Sequence, residues 1–175
     1  MELPGETYLY TLSLVAATFA VVSALVMIMR QSMGGKMSLF DVYLITTYIS
    51  WGFTQSLIAL VPPLVSLFEP TPRILWAVSS GLSALVFAVV LAGIVHRRLK
   101  ASPEPIALAV KTSFSLHGVA IIVFIVNAIA EPWQGVHLFA AALTLSVAAV
   151  MWAFVRRIAS LFGVKPSKDW DPKRG

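Results

Sequence analysis

The 175-residue chain is 58% hydrophobic and 12% charged, carries a net charge of +5 and contains no cysteine. Soluble domains are about 45–50% apolar and about 25% charged, so this composition excludes an ordinary water-soluble domain, and the lack of cysteine excludes disulfides, thiolate metal sites and cysteine nucleophiles. The positive charge does not indicate a nucleic-acid partner, because the basic residues lie at the ends of apolar runs rather than along one continuous face.

Five apolar runs are long enough to cross the hydrocarbon core of a bilayer, which takes about 20 helical residues. The N-terminal segment carries Glu2 and Glu6 but no basic residue, unlike a secretory signal, so we interpret the first run as a retained helix. Pro62 and Pro63 should end or kink the second run, because proline lacks a backbone donor. The predicted helices cover residues 8–29, 38–60, 74–95, 106–130 and 137–155, and a basic tail covers 156–175. The fold class is therefore all-α, a polytopic bundle of five transmembrane helices.

The distribution of Lys and Arg predicts the orientation. If the helices alternate in direction, eleven basic residues fall on one side, Lys111 lies just inside the membrane on that side, and only Arg73 lies on the other. The eleven are Arg30, Lys36, Arg97, Arg98, Lys100, Arg156, Arg157, Lys165, Lys168, Lys173 and Arg174. Because the positively charged side is normally cytoplasmic, we expect the N-terminus outside and the C-terminus in the cytoplasm. The pattern is typical of small multi-pass proteins of the bacterial inner membrane.

Small residues recur at helix-packing spacing in three of the predicted helices, where they let helices approach closely in lipid. They are Ala16, Ala20 and Ala24; Ser80, Ala84 and Ala88; and Ala142, Ser146, Ala149 and Ala153. The partner helix can belong to the same chain or to another one. Trp51 and Trp152 lie well inside their predicted helices and are interpreted as packing residues.

Polar side chains inside the membrane are concentrated in the second and fourth predicted helices. Asp41, Tyr48 and Gln55 are spaced by seven, which brings them close to one helix face. In the fourth helix, steps of four and three trace a single stripe through Ser113, His117, Ala120, Phe124, Asn127 and Glu131. Because ionisable groups in hydrocarbon are costly, the residues predicted to line a polar path are Asp41, Tyr48, Gln55, Lys111, Ser113, His117 and Asn127.

Two of these predictions have alternatives. Asp41 and Lys111 should lie at a similar shallow depth, about 5–8 Å into their helices, where they can form an ion pair that merely orients the helices. Lys111 can instead extend to the interface on its long side chain. His117 is expected near mid-membrane, either bonded to Ser113 one turn away or acting as a proton relay or ligand contact, because imidazole titrates near neutrality.

The sequence does not predict a cofactor, a metal site or an enzymatic function. The three histidines, His96, His117 and His137, lie at different depths, so they cannot pair as haem ligands within one chain. Ser115 and His117 are two residues apart on a helix, so their side chains point about 200° apart and cannot act as nucleophile and base.

Three functions remain open. The first is a subunit of an oligomeric channel or carrier that passes protons, small ions or a small polar solute along the polar faces of the second and fourth helices. The second is an accessory or scaffold subunit of a larger membrane complex. The third is a membrane-embedded redox protein or a protein that binds lipid or quinone. The expected partners are the lipid bilayer and further subunits, identical or different.

Overall fold

The computed structural model describes residues 3, 5–32, 39–101, 108–131 and 134–161. These residues form six α-helices: α1 (Glu6–Ser32), α2 (Leu39–Ala59), α3 (Val61–Ser66), α4 (Pro72–Ala101), α5 (Leu108–Ile129) and α6 (Val136–Leu161). Five spans are long and apolar enough to cross a membrane, the second of them comprising most of α2 together with α3. The prediction of an all-α chain with five helices of this kind is confirmed.

The two consecutive prolines interrupt the helix, but the chain resumes as a helix at once. Leu60 separates α2 from α3, and Pro62 and Pro63 occupy the first turn of α3. Backbone N–H groups in a first turn have no acceptor within the helix, so proline loses nothing there. The side chains of Leu67 and Phe68, just past α3, are strongly exposed.

Three helices are longer than their apolar sequences predict: α1 extends past both ends of the predicted 8–29, and α4 and α6 extend mainly at their C-terminal ends. The predicted third span stops at residue 95, whereas α4 continues to Ala101, and the predicted fifth span stops at 155, whereas α6 continues to Leu161. The first six residues of the predicted tail are therefore helical. The extra turns contain Arg97, Arg98 and Arg156, and basic residues near a helix C-terminus interact favourably with the helix dipole.

Side-chain contacts show how the helices run relative to one another. Ser13 of α1 bonds to Ser56 of α2, and the Ala16–Ala20 segment faces Gly52, so α1 and α2 are antiparallel. The other pairings follow from similar contacts: α2 runs antiparallel to α4 and α6, and α5 runs antiparallel to α4 and α6. One end of the bundle, here called the basic end, therefore carries Arg30, Arg97, Arg98 and Arg156. The opposite end carries Glu6, Glu69, Arg73 and Glu131.

The predicted small-residue stripes are divided between interior and surface. Ala16 and Ala20 are fully buried against α2, whereas Ala24 is only partly buried. In α4, Ser80 and Ala84 are buried but Ala88 is exposed. The four small residues of α6, Ala142, Ser146, Ala149 and Ala153, are all buried within the chain. The α4 stripe therefore continues onto a surface with no intramolecular partner among the described helices.

Candidate functional site

The polar residues of α5 lie on its buried face. Ser113, His117 and Asn127 are buried, and so are Ala120 and Phe124 between them. The steps of four and three keep these side chains on one side of a helix with 3.6 residues per turn. Glu131, which follows α5 at the opposite end, is exposed and forms an ion pair with Arg73.

His117 is the central ionisable group of this face, and its side chain has no exposed surface. Its Nδ1 lies 2.6 Å from the Ser113 carbonyl oxygen. A carbonyl oxygen only accepts, so Nδ1 must carry the hydrogen, and in a neutral imidazole Nε2 is then an acceptor. Nε2 is buried and has no hydrogen-bond partner among the described residues. The Ser113 contact therefore satisfies one ring nitrogen and leaves the other available.

Two aromatic rings pack against the imidazole. The Trp51 ring centroid is 4.1 Å from that of His117, and the Phe87 centroid is 6.3 Å away. Trp51 and Phe87 meet edge to face at 5.3 Å. Because a cation within about 6 Å of an indole centroid is attracted by the ring, the Trp51 contact would partly stabilise a protonated His117.

Aromatic side chains occupy much of the bundle between His117 and the opposite end. Phe87 packs on Phe124 at 5.5 Å, Phe124 on Phe139 at 5.1 Å, and Phe139 on Trp76 at 5.9 Å between centroids. Phe87, Phe124 and Phe139 are fully buried. This set of rings, Phe87, Phe124, Phe139 and Trp76, is called the aromatic column below. It lies between His117 and the opposite end, beside the buried polar side chains of Gln55, Ser80 and Asn127.

Two buried amides connect helices near this column. The Gln55 amide donates to the Ser146 hydroxyl at 2.7 Å, joining α2 to α6. The Asn127 amide donates to the Ser80 hydroxyl at 2.8 Å, and its carbonyl oxygen accepts from the Gly135 N–H at 2.9 Å. Asn127 is therefore satisfied on both sides, whereas Gln55 Oε1 is buried without a partner among the described residues.

A small cavity of about 30 Å³ lies between α2, α4, α5 and α6 in the half of the bundle nearer the basic end. It extends from the level of Arg98 to that of Trp51. Its lining is mainly apolar, and the polar residues in it are Tyr43, Thr47, Tyr48, Arg98 and Ser113. A polar cavity needs about 10–15 Å³ to hold one water, so this space accommodates one or two waters but no larger solute.

The hydroxyl groups of this lining also bond to backbone carbonyls of neighbouring helices. Tyr43 donates to the Ile94 carbonyl at 2.8 Å. Tyr48 and Ser113 lie 3.4 and 3.5 Å from the carbonyls of Ala153 and Ala149. Arg98 is only 5% exposed although it carries a guanidinium, and it interacts electrostatically with Tyr43.

Five of the seven residues predicted to line a polar path, Tyr48, Gln55, Ser113, His117 and Asn127, are inside the bundle. Lys111 is instead on the exposed surface of α5. Asp41 belongs to α2, but its side chain lies outside the described part of the structure, and so does any pairing with Lys111. Within the described residues, no three histidine or carboxylate side chains come together in a way that would hold a metal ion.

Trp51 was predicted only as a packing residue, but its ring contacts the His117 imidazole. The available signal was its position, one turn from Gln55 and from Tyr48 on the same helix. Trp152, also interpreted as packing, is 41% exposed. Arg98 was assigned only to the charge count, and nothing in the local sequence distinguishes it from the exposed Arg97.

No protein-family model, curated protein or solved structure matches this chain. The chemistry of the buried groups is therefore the basis for a functional proposal.

Proposed function

We propose that the protein is a proton-translocating channel or carrier of the inner (plasma) membrane, in which His117 binds and releases the transported proton inside the helix bundle. The observation that carries this proposal is the buried Nε2 of His117, an acceptor without a partner among the described residues. Leaving such an atom unpaired costs about 1–3 kcal/mol. Ionisable groups inside a membrane commonly mark proton relays or ion pathways.

The size of the cavity favours protons over ions and polar solutes. Ser113 and Trp51 line this cavity and also contact His117, so one or two waters there would bring a proton to within one side chain of the imidazole. A hydrated metal ion or an organic solute would require the helices to separate. The Trp51 ring attracts a charged imidazole, whereas the burial of His117 away from water disfavours the charged form. These opposing effects favour transient proton occupancy, which is what a relay requires.

Access to His117 is asymmetric. The cavity connects the region of Arg98 with Ser113, whereas the aromatic column occupies the space toward the opposite end. Passage of a proton across the whole membrane therefore requires movement of the Phe87 or Phe124 ring. Such movement is compatible with a carrier that opens to the two sides in turn or with a channel that has a gate. The positive-inside rule assigns the basic end to the cytoplasm, so His117 would exchange protons with the cytoplasmic side in this conformation.

Proton flux into liposomes tests the proposal. The purified protein is reconstituted with a trapped pH-sensitive dye, and a potassium gradient with valinomycin supplies the driving force. We expect flux from the wild type and at least a tenfold loss in His117→Ala. Ser115→Ala is the matched control, because Ser115 is exposed on the same helix.

Two results would overturn the proposal: a wild-type flux no greater than that of empty liposomes, or an unchanged flux in a folded His117→Ala variant. His117→Gln is a second variant in case the alanine variant fails to fold. Glutamine retains a buried hydrogen-bonding side chain but cannot take up a proton, so the flux should be lost while thermal unfolding stays close to that of the wild type.

A second candidate function is assembly as a subunit of a homo-oligomer or of a larger membrane complex. Gly81, Ala88 and Ala92 are small residues on the exposed side of α4, and small residues allow close helix approach in lipid. Gly81→Leu and Ala88→Leu should then reduce the oligomeric mass measured in nanodiscs. A wild-type protein that is monomeric and purifies without partner proteins would exclude this function.

A further inference from the structure

An apolar groove of about 400 Å³ lies on the outer surface between α1 and α6. The rings of Phe19 and Phe154 meet edge to face at 5.1 Å and form its floor. The helices are also joined nearer the opposite end, where Tyr8 and Thr144 hydroxyl groups lie 2.6 Å apart. The ring contact and the hydroxyl contact together hold α1 against α6, and the two helices form the walls of the groove.

The groove follows the long axis of the bundle. On α1 its lining extends from Leu14 to Val22, which are eight residue steps and thus about 12 Å apart along the helix. That length is close to half the thickness of a bilayer core of about 30 Å. Volume and length together give a cross-section of roughly 33 Å², less than half that of a helix about 10 Å wide. A single hydrocarbon chain therefore fits along the groove.

A positive charge follows the groove lining at the basic end, on the neighbouring face of α6. Met151 and Val155 line its α6 wall, and Arg156 directly follows Val155. The Arg156 guanidinium is exposed and lies 5.7 Å from the Trp152 ring centroid. Trp152 is itself partly exposed. Tryptophan and arginine side chains in this arrangement are typical of residues that contact lipid headgroups at the membrane interface.

We propose that this groove binds one acyl chain of an anionic phospholipid from the leaflet at the basic end, with its phosphate on Arg156. The chain would lie over Phe19 and Phe154 beside Thr18, and the guanidinium would hold the headgroup through charge-assisted hydrogen bonds. This site is separate from the cavity near Ser113, because α1 lines the groove but not the cavity, and α6 contributes different residues to each.

Native mass spectrometry tests the site on the full chain released from nanodiscs that contain equal amounts of phosphatidylglycerol and phosphatidylcholine. We expect retention of one phosphatidylglycerol in preference to phosphatidylcholine. Arg156→Gln should lower that retention about fivefold, since one basic residue contributes about 1 kcal/mol at an anionic surface. Arg97→Gln is the charge-matched control, because Arg97 is an exposed arginine of α4 at the same end of the bundle.

A second variant tests the groove itself. Thr18→Phe fills the groove but leaves Arg156 in place, so lipid retention should fall, whereas Leu85→Phe on the exposed side of α4 should have no effect. Equal retention of the two lipids, or retention unchanged by both Arg156→Gln and Thr18→Phe, would overturn the proposal. A wild-type dimer that Thr18→Phe converts to a monomer would also overturn it, by assigning the groove to a second copy.

Discussion

Substituting Gly52 by alanine should weaken the contact between α1 and α2. Among the described helical glycines, Gly52 is the one where an added methyl group meets a close neighbour. A Cβ atom at Gly52 would lie 2.8 Å from the Ala16 carbonyl oxygen and 2.9 Å from the Ala20 Cβ. Ordinary contacts begin at 3.4 Å. Neither neighbour can rotate away, because one is backbone and the other is the first atom of its side chain. The two helices must therefore separate by roughly 0.5 Å or more at this point.

The energetic consequence follows from packing. Overpacking a well-filled interface costs about 1–3 kcal/mol, and a gap of 0.5–1 Å forfeits about a quarter to a half of each neighbouring dispersion contact. Alanine favours the helix over glycine by up to about 1 kcal/mol, which offsets part of this cost. We expect a net destabilisation of about 1–2 kcal/mol for Gly52→Ala.

The assay is reversible unfolding in mixed micelles, followed by circular dichroism as the denaturing detergent fraction is raised. Gly81→Ala is the matched control, because a Cβ atom at Gly81 meets nothing within 4 Å, and this variant should be unchanged or slightly more stable. Equal free energies of unfolding for the two variants would refute the close approach of α1 and α2 at Gly52.

Two further substitutions have expected effects of different size. Asn127→Leu removes the hydrogen bonds to the Ser80 hydroxyl and from the Gly135 N–H. It should therefore lower the free energy of unfolding by about 1–3 kcal/mol. A loss below about 0.5 kcal/mol would show that these bonds are not made. Arg73→Gln breaks the ion pair with Glu131, whose two side chains are 68% and 62% exposed. The free energy of unfolding should therefore change by less than about 1 kcal/mol. A larger change would mean that the pair holds the ends of α4 and α5 together.

Much of the fold was predictable because the hydrophobic signal of a transmembrane helix is summed over about 20 residues. Five such signals predicted five spans, and the described part of the structure contains five helical spans of that kind. The helix ends were less accurate, as α4 and α6 show. A helix ends where its backbone hydrogen bonds end, and nothing requires that point to coincide with the last apolar residue.

The candidate site was predictable only as a helix face. The spacing of Ser113, His117 and Asn127 predicted a common stripe, and the structure buries all three. It did not predict that the Trp51 ring contacts His117, or that Ser146, 91 positions from Gln55, accepts its hydrogen bond. Helical periodicity determines which side of a helix a residue occupies, but not which neighbouring helix that side meets.

The sequence by itself determined that the chain has five segments long and apolar enough to cross a membrane, and which face of α5 is polar, because hydropathy and helical periodicity are local properties. Only the tertiary structure decided that α2 packs between α1, α4 and α6 and that α1 approaches α2 closely at Gly52. It also decided that the cavity lies toward the basic end of the bundle. The physical reason is that lipid provides no hydrophobic preference for one helix pairing over another. The choice depends instead on close packing and interhelical hydrogen bonds between residues far apart in the chain.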